Sequence, residues 1–251
     1  MKFVFDLDGT ICFKGKPVSE KIVTTLEKLT NQGHEVIFAS ARPIRDMLPV
    51  IHNRLHHYPM IGGNGSLIAK NNKVIHSTTF SIQEISEIKH LIKKFNVTYL
   101  IDSEWDYAYT GAIDHPILQN VDQGKLAQMV EMEYLPSIVK ILILTSSNMN
   151  ELEKALVELD VFVNKHGDEN VLDISPKGIH KWKALQILGV QKGEYIAFGN
   201  DANDLTMFEH AIHTVMIGRH ERLSQYAKET ISLEGDYEQE IVDKIKQLSS
   251  E

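Results

Sequence analysis

The sequence predicts an α/β protein in which a Rossmann-like core, built on a parallel sheet, is interrupted by an inserted α+β domain. In the stretches 1–80 and 173–251, short apolar runs alternate with amphipathic helical patterns, as expected for successive βα units. Between them, at 81–172, helical and strand patterns cluster without that alternation, which is typical of an antiparallel arrangement. Several apolar runs end at polar residues, as strands do at the ligand-binding edge of an open α/β sheet.

The first core stretch opens on Phe3-Val4-Phe5, an aromatic and β-branched run that predicts a buried strand ending at Asp6. A helix follows between a capping Ser19 and Gly33. The predicted strands of this stretch are 3–5, 36–39, 60–61, 67–69 and 73–75, and the predicted helices are 19–33 and 44–56. The last two strands read as a hairpin that turns at Asn71-Asn72.

The insert begins with a capping box formed by Ser81 and Glu84, and Asn148 can cap a later helix. Its predicted segments are helices at 81–95, 125–133 and 148–159 and strands at 97–101, 106–110, 139–145, 161–163 and 171–174. The second core stretch then carries a helix at 179–188, a strand at 194–198, a helix from 205, a strand at 212–216 and a last helix through 241–248. The core therefore consists of two pieces separated by the insert.

Composition and charge narrow the class of partner. The formal net charge of -8 argues against nucleic acid or an anionic membrane as the main partner. The single cysteine, Cys12, excludes an internal disulfide. No signal-peptide pattern precedes the first strand, and no apolar run approaches the ~18 residues that span a bilayer. We expect a cytoplasmic protein, a monomer or small homo-oligomer, that acts on a small molecule.

Four polar clusters fall where apolar strands stop or the next helix begins: Asp6/Asp8, Ser40, Lys181 and the run from Asn200 to Asp204. The carboxyl ends of parallel strands meet at one edge, so these clusters should converge. Two carboxylates at one half-buried site need a cation or a shared proton. Together the side chains offer a nucleophile, a proton donor, a hydroxyl, an ammonium group and oxygen ligands suited to Mg²⁺, an inventory that favours phosphoryl transfer.

Each cluster also has a simpler interpretation. Lys181 can be a solvated helix residue, with Lys177 as the rival phosphate contact. The Asn200–Asp204 run can be an ordinary helix cap. Arg42 is as compatible with a surface ion pair as with a direct substrate contact. A patch around Trp105 in the insert is either a substrate-pocket wall or an exposed hairpin tip. The order of all four clusters along the chain is what favours a catalytic site.

These residues resemble those of a known family. Asp6-Leu7-Asp8-Gly9-Thr10 resembles the nucleophile motif of the haloacid dehalogenase (HAD) superfamily of phosphohydrolases, and Ala39-Ser40-Ala41-Arg42 resembles its second motif. Lys181 matches the lysine of the third motif, and Gly199 to Asp204 the acidic fourth motif. The insert is similar in position to the large α/β cap of the Cof-like subfamily, and Asn64-Gly65 to a loop of that subfamily near the active site.

The resemblance implies a Mg²⁺-dependent phosphatase acting on a small phosphorylated metabolite, such as a sugar phosphate, with a phosphomutase or a non-catalytic phosphometabolite binder as alternatives. Asp6 would form an aspartyl phosphate, Asp8 would serve as acid and base, and Lys181 would complete the catalytic group. The implied substrate contacts are Thr10, Ser40, Ala41, Arg42, Asn64 and Asn203. The implied metal ligands are Asp6, the main-chain carbonyl of Asp8, Asn200, Asp201 and Asp204.

Three positions depart from the family pattern. Asn200 stands where an acid is usual, so which of Asn200, Asp201 and Asp204 would bind a cation directly is left open by the sequence. Ala41 replaces a frequent glycine, and Trp182 follows Lys181 where a small residue is more usual. These changes alter the expected pocket without removing its chemistry.

Overall fold

A computed structural model describes residues 1–166 and 171–250 as an α/β protein with two sheets. The strands are β1 (Lys2–Phe5), β2 (Glu35–Ala39), β3 (Met60–Gly62), β4 (Leu67–Lys70), β5 (Lys73–Ser77), β6 (Thr98–Asp102), β7 (Tyr107–Tyr109), β8 (Lys140–Thr145), β9 (Val161–His166), β10 (Val171–Pro176), β11 (Tyr195–Gly199), β12 (His213–Ile217) and β13 (Glu229–Ile231). The helices are α1 (Glu20–Asn31), α2 (Ile44–Met47), α3 (Ile82–Lys94), α4 (Met149–Val157), α5 (Lys181–Ile187), α6 (Leu205–Phe208), α7 (Glu221–Ser224) and α8 (Tyr237–Ser249).

The first sheet has the strand order β13-β12-β11-β1-β2-β3-β4-β5 over the described residues. All pairs from β13 to β3 are parallel, and the β3-β4-β5 end is antiparallel. The β4-β5 hairpin turns at Asn71 and Asn72, both at positive φ (52° and 61°), as a type I′ turn requires. The predicted Rossmann-like parallel core is confirmed.

Apolar side chains cover both faces of the first sheet. Alternate residues of β1 point to opposite faces: Phe3 and Phe5 join a cluster with α1 and α8, while Val4 joins one with α5 and α6. All three are fully buried, which explains why β1 reads as a continuous apolar run. Helices on both faces leave the carboxyl edge of the sheet as the place where polar groups gather.

The second sheet is antiparallel, with the order β7-β6-β8-β10-β9. Helices α3 and α4 cover one face, and the capping box of Ser81 and Glu84 forms as predicted. The α+β insert is confirmed as a fold class. The return to the core was expected at 173; strand β10, which contains that residue, stays paired in the second sheet to Pro176. The proposed domain limits stay a prediction.

The predicted helix at 44–56 is wrong beyond Met47. Regular α-helix ends at Met47, turns follow, and a short 3₁₀ segment spans Asn53–Leu55. Pro49 lies inside the predicted span, and it lacks the N–H that would continue the helical hydrogen bonds. The apolar residues Val50, Ile51 and Leu55 produced the helical pattern, but they are buried from turns and the 3₁₀ segment and not from an α-helix.

The predicted helix at 125–133 is also wrong. Its backbone hydrogen-bonds elsewhere: Gln128 N donates to Asp106 Oδ1, Val130 N donates to Tyr107 O, and Leu126 N donates to Asp122 Oδ1. These partners hold 128–130 extended beside β7, and the segment contains a 3₁₀ turn only at Met132–Tyr134. Contacts distant in sequence override the local helical pattern here.

Smaller differences concern helix and strand ends. Ser19 occupies the first cap position of α1, but its hydroxyl makes no capping bond. Strand β13 and helix α7 were not predicted.

Among the described residues, no helix is long and apolar enough to cross a membrane.

Candidate active site

The predicted clusters meet at the carboxyl edge of the first sheet. Asp6 and Asp8 follow β1, Ser40 follows β2 and Asn200 follows β11, and these three strands are neighbours. Lys181 is the first residue of α5. The parallel register brings the strand ends to one edge, as the sequence predicted.

Lys181 lies at the centre of the site. Its Nζ is 2.7 Å from Asp6 Oδ1 and 2.6 Å from Asp204 Oδ1, and the side chain is fully buried. Although burial opposes the charged form, Asp204 and Asp6 raise the pKa of Lys181 above its usual value. The ammonium group is therefore a fixed positive charge at neutral pH.

Asp6 is buried between this cation and a hydroxyl. Thr10 Oγ1 donates to Asp6 Oδ2 at 2.9 Å, and Asp6 N donates to Phe198 O, which fixes the turn after β1. Burial raises the pKa of Asp6 to about 7, with Lys181 opposing and Asp204 adding to the shift. Lys181 alone therefore does not keep the pKa of Asp6 at its usual low value.

Asp204 has its oxygens occupied by the protein. Oδ1 faces Lys181, while Oδ2 accepts hydrogen bonds from the N–H groups of Asn200 (2.8 Å) and Asp201 (3.1 Å). A Cβ at Gly199 would lie 2.6 Å from the Asp204 carboxylate, so the chain needs glycine there. Asp204 holds the 200–204 turn and the lysine in place.

Asp8 forms a two-pronged ion pair with Arg42. Arg42 Nε lies 2.7 Å from Asp8 Oδ2, and Arg42 Nη2 lies 2.7 Å from Asp8 Oδ1. The Asp8 side chain is 48% exposed, unlike that of Asp6 at 6%. The two acids of the opening motif therefore have different environments, and Arg42 contacts an acid of the site instead of an unrelated surface group.

The Ser40 loop is held by a second loop. Ser40 Oγ accepts from Arg42 N, and Ser40 O accepts from Asn64 N. Asn64 has φ 59°, and its Oδ1 accepts from Asn203 Nδ2 at 3.2 Å. Gly65 packs so tightly that a Cβ would lie 2.7 Å from the carbonyl oxygen of His180. The glycine-rich loop therefore joins the Ser40 loop, α5 and the 200–204 turn.

Oxygen donors suited to a hard cation lie beside Asp6. Thr10 Oγ1 is 2.9 Å from Asp6 Oδ2 and 3.3 Å from Asn200 Oδ1, so the carboxylate and the amide flank one hydroxyl. Gly9, at φ +79°, leaves room for Asn200 Nδ2, which would be 2.2 Å from a Cβ there. No group of three His, Cys, Asp or Glu side chains within the described ranges has metal-site geometry. A Mg²⁺ ion would thus need amide, carbonyl or water oxygens too, a donor set that fits it.

Two candidates lie outside this group. Asp201 is 59% exposed, accepts from Ala202 N and lies 3.4 Å from His220 Nε2. Lys177, the rival to Lys181, pairs with Asp160 on the surface. Of the two lysines, only Lys181 reaches Asp6.

Sequence reasoning missed a set of buried charges between the two sheets. Arg45, Asp46, Asp102, Lys140 and Asp173 are all at most 6% exposed. Arg45 pairs with Asp102, and Lys140 donates to the carbonyl of Ala41 at 3.2 Å. Charged residues at the ends of apolar strands were the available signal, but their partners depend on how the two sheets meet. The Trp105 patch is not an exposed tip, because Trp105 packs against the first sheet's core.

Comparison with known proteins gives a family match. The family model described as haloacid dehalogenase-like hydrolase matches residues 3–236. The chain is similar to the 5-amino-6-(5-phospho-D-ribitylamino)uracil phosphatase YitU of Bacillus subtilis, at 23% identity over 231 residues, covering 85% of this chain and 84% of that protein. It is also similar to the HMP-PP phosphatase of Citrobacter koseri, at 22% identity over 227 residues, covering 85% and 82%.

A solved structure shows the same fold. The HAD subclass IIB sugar phosphatase BT4131 superposes with a TM-score of 0.75 at 18% identity, covering 98% of both chains. The match extends over both sheets, since it leaves out almost none of the chain. The predicted resemblance to the HAD superfamily is confirmed by the family model that matches residues 3–236.

Proposed function

Because the chain belongs to the haloacid dehalogenase-like hydrolase family and is a phosphoric monoester hydrolase, we propose that it hydrolyses a small phosphorylated metabolite through a phosphoryl group carried on Asp6. A sugar phosphate or a related compound is the proposed substrate class. The relatives named as phosphatases act on small phosphorylated compounds, which supports this class. The residue roles and the metal below are part of the proposal.

The observation that carries the proposal is the position of Lys181 between Asp6 and Asp204. A carboxylate can attack phosphorus only if it is ionised and if the approaching anionic phosphate is neutralised. Lys181 supplies a buried positive charge that contributes to both. An ion pair that only stabilised the fold would need neither a second carboxylate nor a position at the carboxyl edge of the sheet, between two strand-end turns.

Asp6 and Asp8 divide the chemistry. Asp6 Oδ attacks phosphorus, the bond to the leaving oxygen breaks, and the phosphoryl group passes to Asp6. Asp8 gives a proton to the leaving oxygen and then takes one from the water that hydrolyses the intermediate. Arg42 is paired with both Asp8 oxygens, which fixes the orientation of the Asp8 carboxyl group. At least one of these two hydrogen bonds must break when Asp8 carries the transferred proton.

Among the other site residues, Ser40 is proposed to contact the phosphoryl group directly and the rest to order the site around it. Ser40 accepts a bond from Arg42 N, which leaves its hydroxyl proton available to donate to a phosphoryl oxygen. Thr10, Asn64 and Asn203 order the surrounding turns through their hydrogen bonds. Ala41 contributes backbone, and its carbonyl faces Lys140.

Mg²⁺ is the proposed cofactor. Asp6, the Asp8 carbonyl and Asn200 would hold it. Asp204 would act indirectly, because it holds the 200–204 turn and Lys181 in place. When bound, it would neutralise charge on the phosphate and on Asp6. The raised pKa of Asp6 supports the need for a further cation beside Lys181.

The rivals are a phosphomutase and a non-catalytic binder. A phosphomutase would return the phosphoryl group from Asp6 to an isomerised product, whereas a binder would release no phosphate. Phosphate release is measured from sugar phosphates, nucleotides, pyridoxal phosphate and flavin mononucleotide, with Mg²⁺ or with EDTA. Isomerised product is measured in parallel after addition of a bisphosphate, and the two measurements together separate the three functions. We expect Mg²⁺-dependent release that Asp6→Asn abolishes; isomerised product without free phosphate, or activity retained in Asp6→Asn, would refute the proposal.

A further inference from the structure

The structure connects the second sheet to the catalytic loop through one buried ammonium group. We propose that Lys140, at the start of β8, is a positioning residue that holds the Ser40–Arg42 loop in its working geometry when the second sheet lies against the first. This inference rests on the proposed phosphatase function. It assigns to a residue of the insert a role in the chemistry of the core.

Lys140 is buried and reaches across the boundary between the sheets. The residue is 5% exposed, and its Nζ lies 3.0 Å from Asp173 Oδ2 and 3.2 Å from Ala41 O. Asp173 belongs to β10 of the same sheet, whereas Ala41 follows β2 of the first sheet. The ion pair with Asp173 meets the need of a buried ammonium for a counter-charge; the bond to Ala41 is an additional, inter-sheet contact.

Ala41 is the residue through which such a contact has most effect. Its neighbours are Ser40, whose hydroxyl is proposed to hold the phosphoryl group, and Arg42, whose guanidinium group donates to both Asp8 oxygens. Ser40 and Arg42 are also tied to each other by the bond from Arg42 N to Ser40 Oγ. A hydrogen bond from a cation to the intervening carbonyl therefore restrains both side chains together.

The Lys140 contact is one of several contacts between the two sheets. Arg45 of α2 is fully buried against the second sheet: it pairs with Asp102, donates to Trp105 O at 2.8 Å and lies over the Tyr107 ring at 4.8 Å. Asp46 Oδ1 accepts from Asp122 N at 2.7 Å. These contacts hold the start of β8 close to the Ser40–Arg42 loop. Separation of the sheets would remove the Ala41 bond but leave the Lys140–Asp173 pair intact.

A positioning role predicts a specific kinetic pattern. Arg42 orients Asp8, and Asp8 protonates the leaving oxygen, so a loosened loop should slow esters with poor leaving groups more than esters with good ones. Misplacement of reacting groups by about 1 Å costs on the order of 10²-fold in rate. Binding of inorganic phosphate needs no proton transfer and depends on Ser40 as only one of its contacts, so it should weaken much less than the turnover of phenyl phosphate.

The test uses the full chain with Mg²⁺ and two esters, phenyl phosphate and p-nitrophenyl phosphate. The variant Lys140→Met/Asp173→Asn removes the Ala41 bond together with the carboxylate that pairs with Lys140. Asp173→Asn alone is the matched control, since the asparagine amide oxygen can still accept a hydrogen bond from Lys140 Nζ and the lysine keeps its bond to Ala41. Lys140→Arg tests rescue by a residue that keeps the charge, and Lys140→Gln is a second loss variant in case the double variant does not fold.

We expect kcat/KM for phenyl phosphate to fall about 10-fold to 100-fold in the loss variants, and clearly less for p-nitrophenyl phosphate. The inhibition constant of inorganic phosphate should stay within about threefold, and Asp173→Asn and Lys140→Arg should remain near wild type. Equal losses for both esters, weakened phosphate binding of the same size, or unchanged kinetics in an active enzyme would each overturn the positioning role. Absence of Mg²⁺-dependent phosphate release by the wild type from these esters and from the metabolite set would instead overturn the proposed function, and this inference with it.

Discussion

Lys181 Nζ lies 2.7 Å from Asp6 Oδ1 in a fully buried environment. The same ammonium group also faces Asp204, so one positive charge serves two carboxylates. Removing it should affect both activity and stability, in ways that depend on pH.

Lys181→Met should lower kcat by about 10²–10³, since it removes a preorganised charge at the phosphoryl site. It should also lower the free energy of unfolding by about 3–5 kcal/mol at pH 8, because two buried carboxylates lose their partner. Near pH 5, protonation of Asp6 should reduce that loss. Urea unfolding at both pH values measures the effect, and Lys177→Met, which changes a surface pair, is the control. Similar stability losses for both lysine variants would contradict the account.

Asp6→Asn should stabilise the metal-free protein as pH rises. The folded pKa of Asp6 is raised from 3.8 to about 7 by burial, so the folded state holds a proton that the unfolded state loses first. Wild-type stability therefore falls between about pH 4 and pH 7 and stays reduced above, by at most about 4 kcal/mol at 1.36 kcal/mol per pKa unit. Thermal unfolding in EDTA should show a higher midpoint for Asp6→Asn at pH 8 and little difference at pH 4. A lower midpoint at pH 8 would refute this reading of the site.

A lysine at position 42 should not be able to take over the orienting role of Arg42. Lysine keeps the charge but cannot bond both Asp8 oxygens in the fork geometry seen here. We expect kcat to fall about 10-fold or more with phenyl phosphate, with a smaller fall for p-nitrophenyl phosphate. Near-wild-type kinetics in Arg42→Lys would mean that charge alone suffices.

Asn200→Asp should tighten Mg²⁺ binding if Asn200 is a direct ligand, since a carboxylate adds negative charge to the oxygen set. Isothermal titration with Mg²⁺ measures the change. Asp201→Asn is the matched control, because that side chain is 59% exposed and turned toward His220. An unchanged affinity in Asn200→Asp would argue that Asn200 is not a direct ligand, and a loss of affinity in Asp201→Asn would transfer the ligand role to Asp201.

Arg45→Met should be among the more destabilising single substitutions between the sheets. It leaves Asp102 and Asp46 buried without their cation, which typically costs about 3–5 kcal/mol. Arg54→Met removes an exposed arginine from Glu20 and Glu27 and should lower the free energy of unfolding much less. Urea unfolding compares the two, and equal costs would mean that the inter-sheet cluster adds little.

The sequence predicted the sheet edge well because its signals are local. Apolar runs ending at Asp6, Ser40 and Asn200 give strand ends directly, and a parallel sheet brings strand ends together. The pairing of Arg42 with Asp8 required the register of β1 against β2, which no local pattern carries.

The failures have physical causes of the same kind. Periodicity predicted a long helix from Ile44, but Pro49 ended it. The segment around Gln128 has helical spacing, yet Asp106 and Tyr107 capture its backbone. Lys140 and Arg45 were missed because their partners lie on the other sheet, and contacts between layers are not encoded by neighbours in sequence.

The central claim is that Asp6 carries the phosphoryl group during turnover. Rapid quenching of the enzyme with substrate and Mg²⁺, followed by borohydride reduction and mass spectrometry of the peptides, tests it directly. We expect reductive conversion at position 6 alone, prevented by hydroxylamine treatment before reduction and absent from Asp6→Asn. An active enzyme with modification at another residue, or with none under single-turnover conditions, would contradict it.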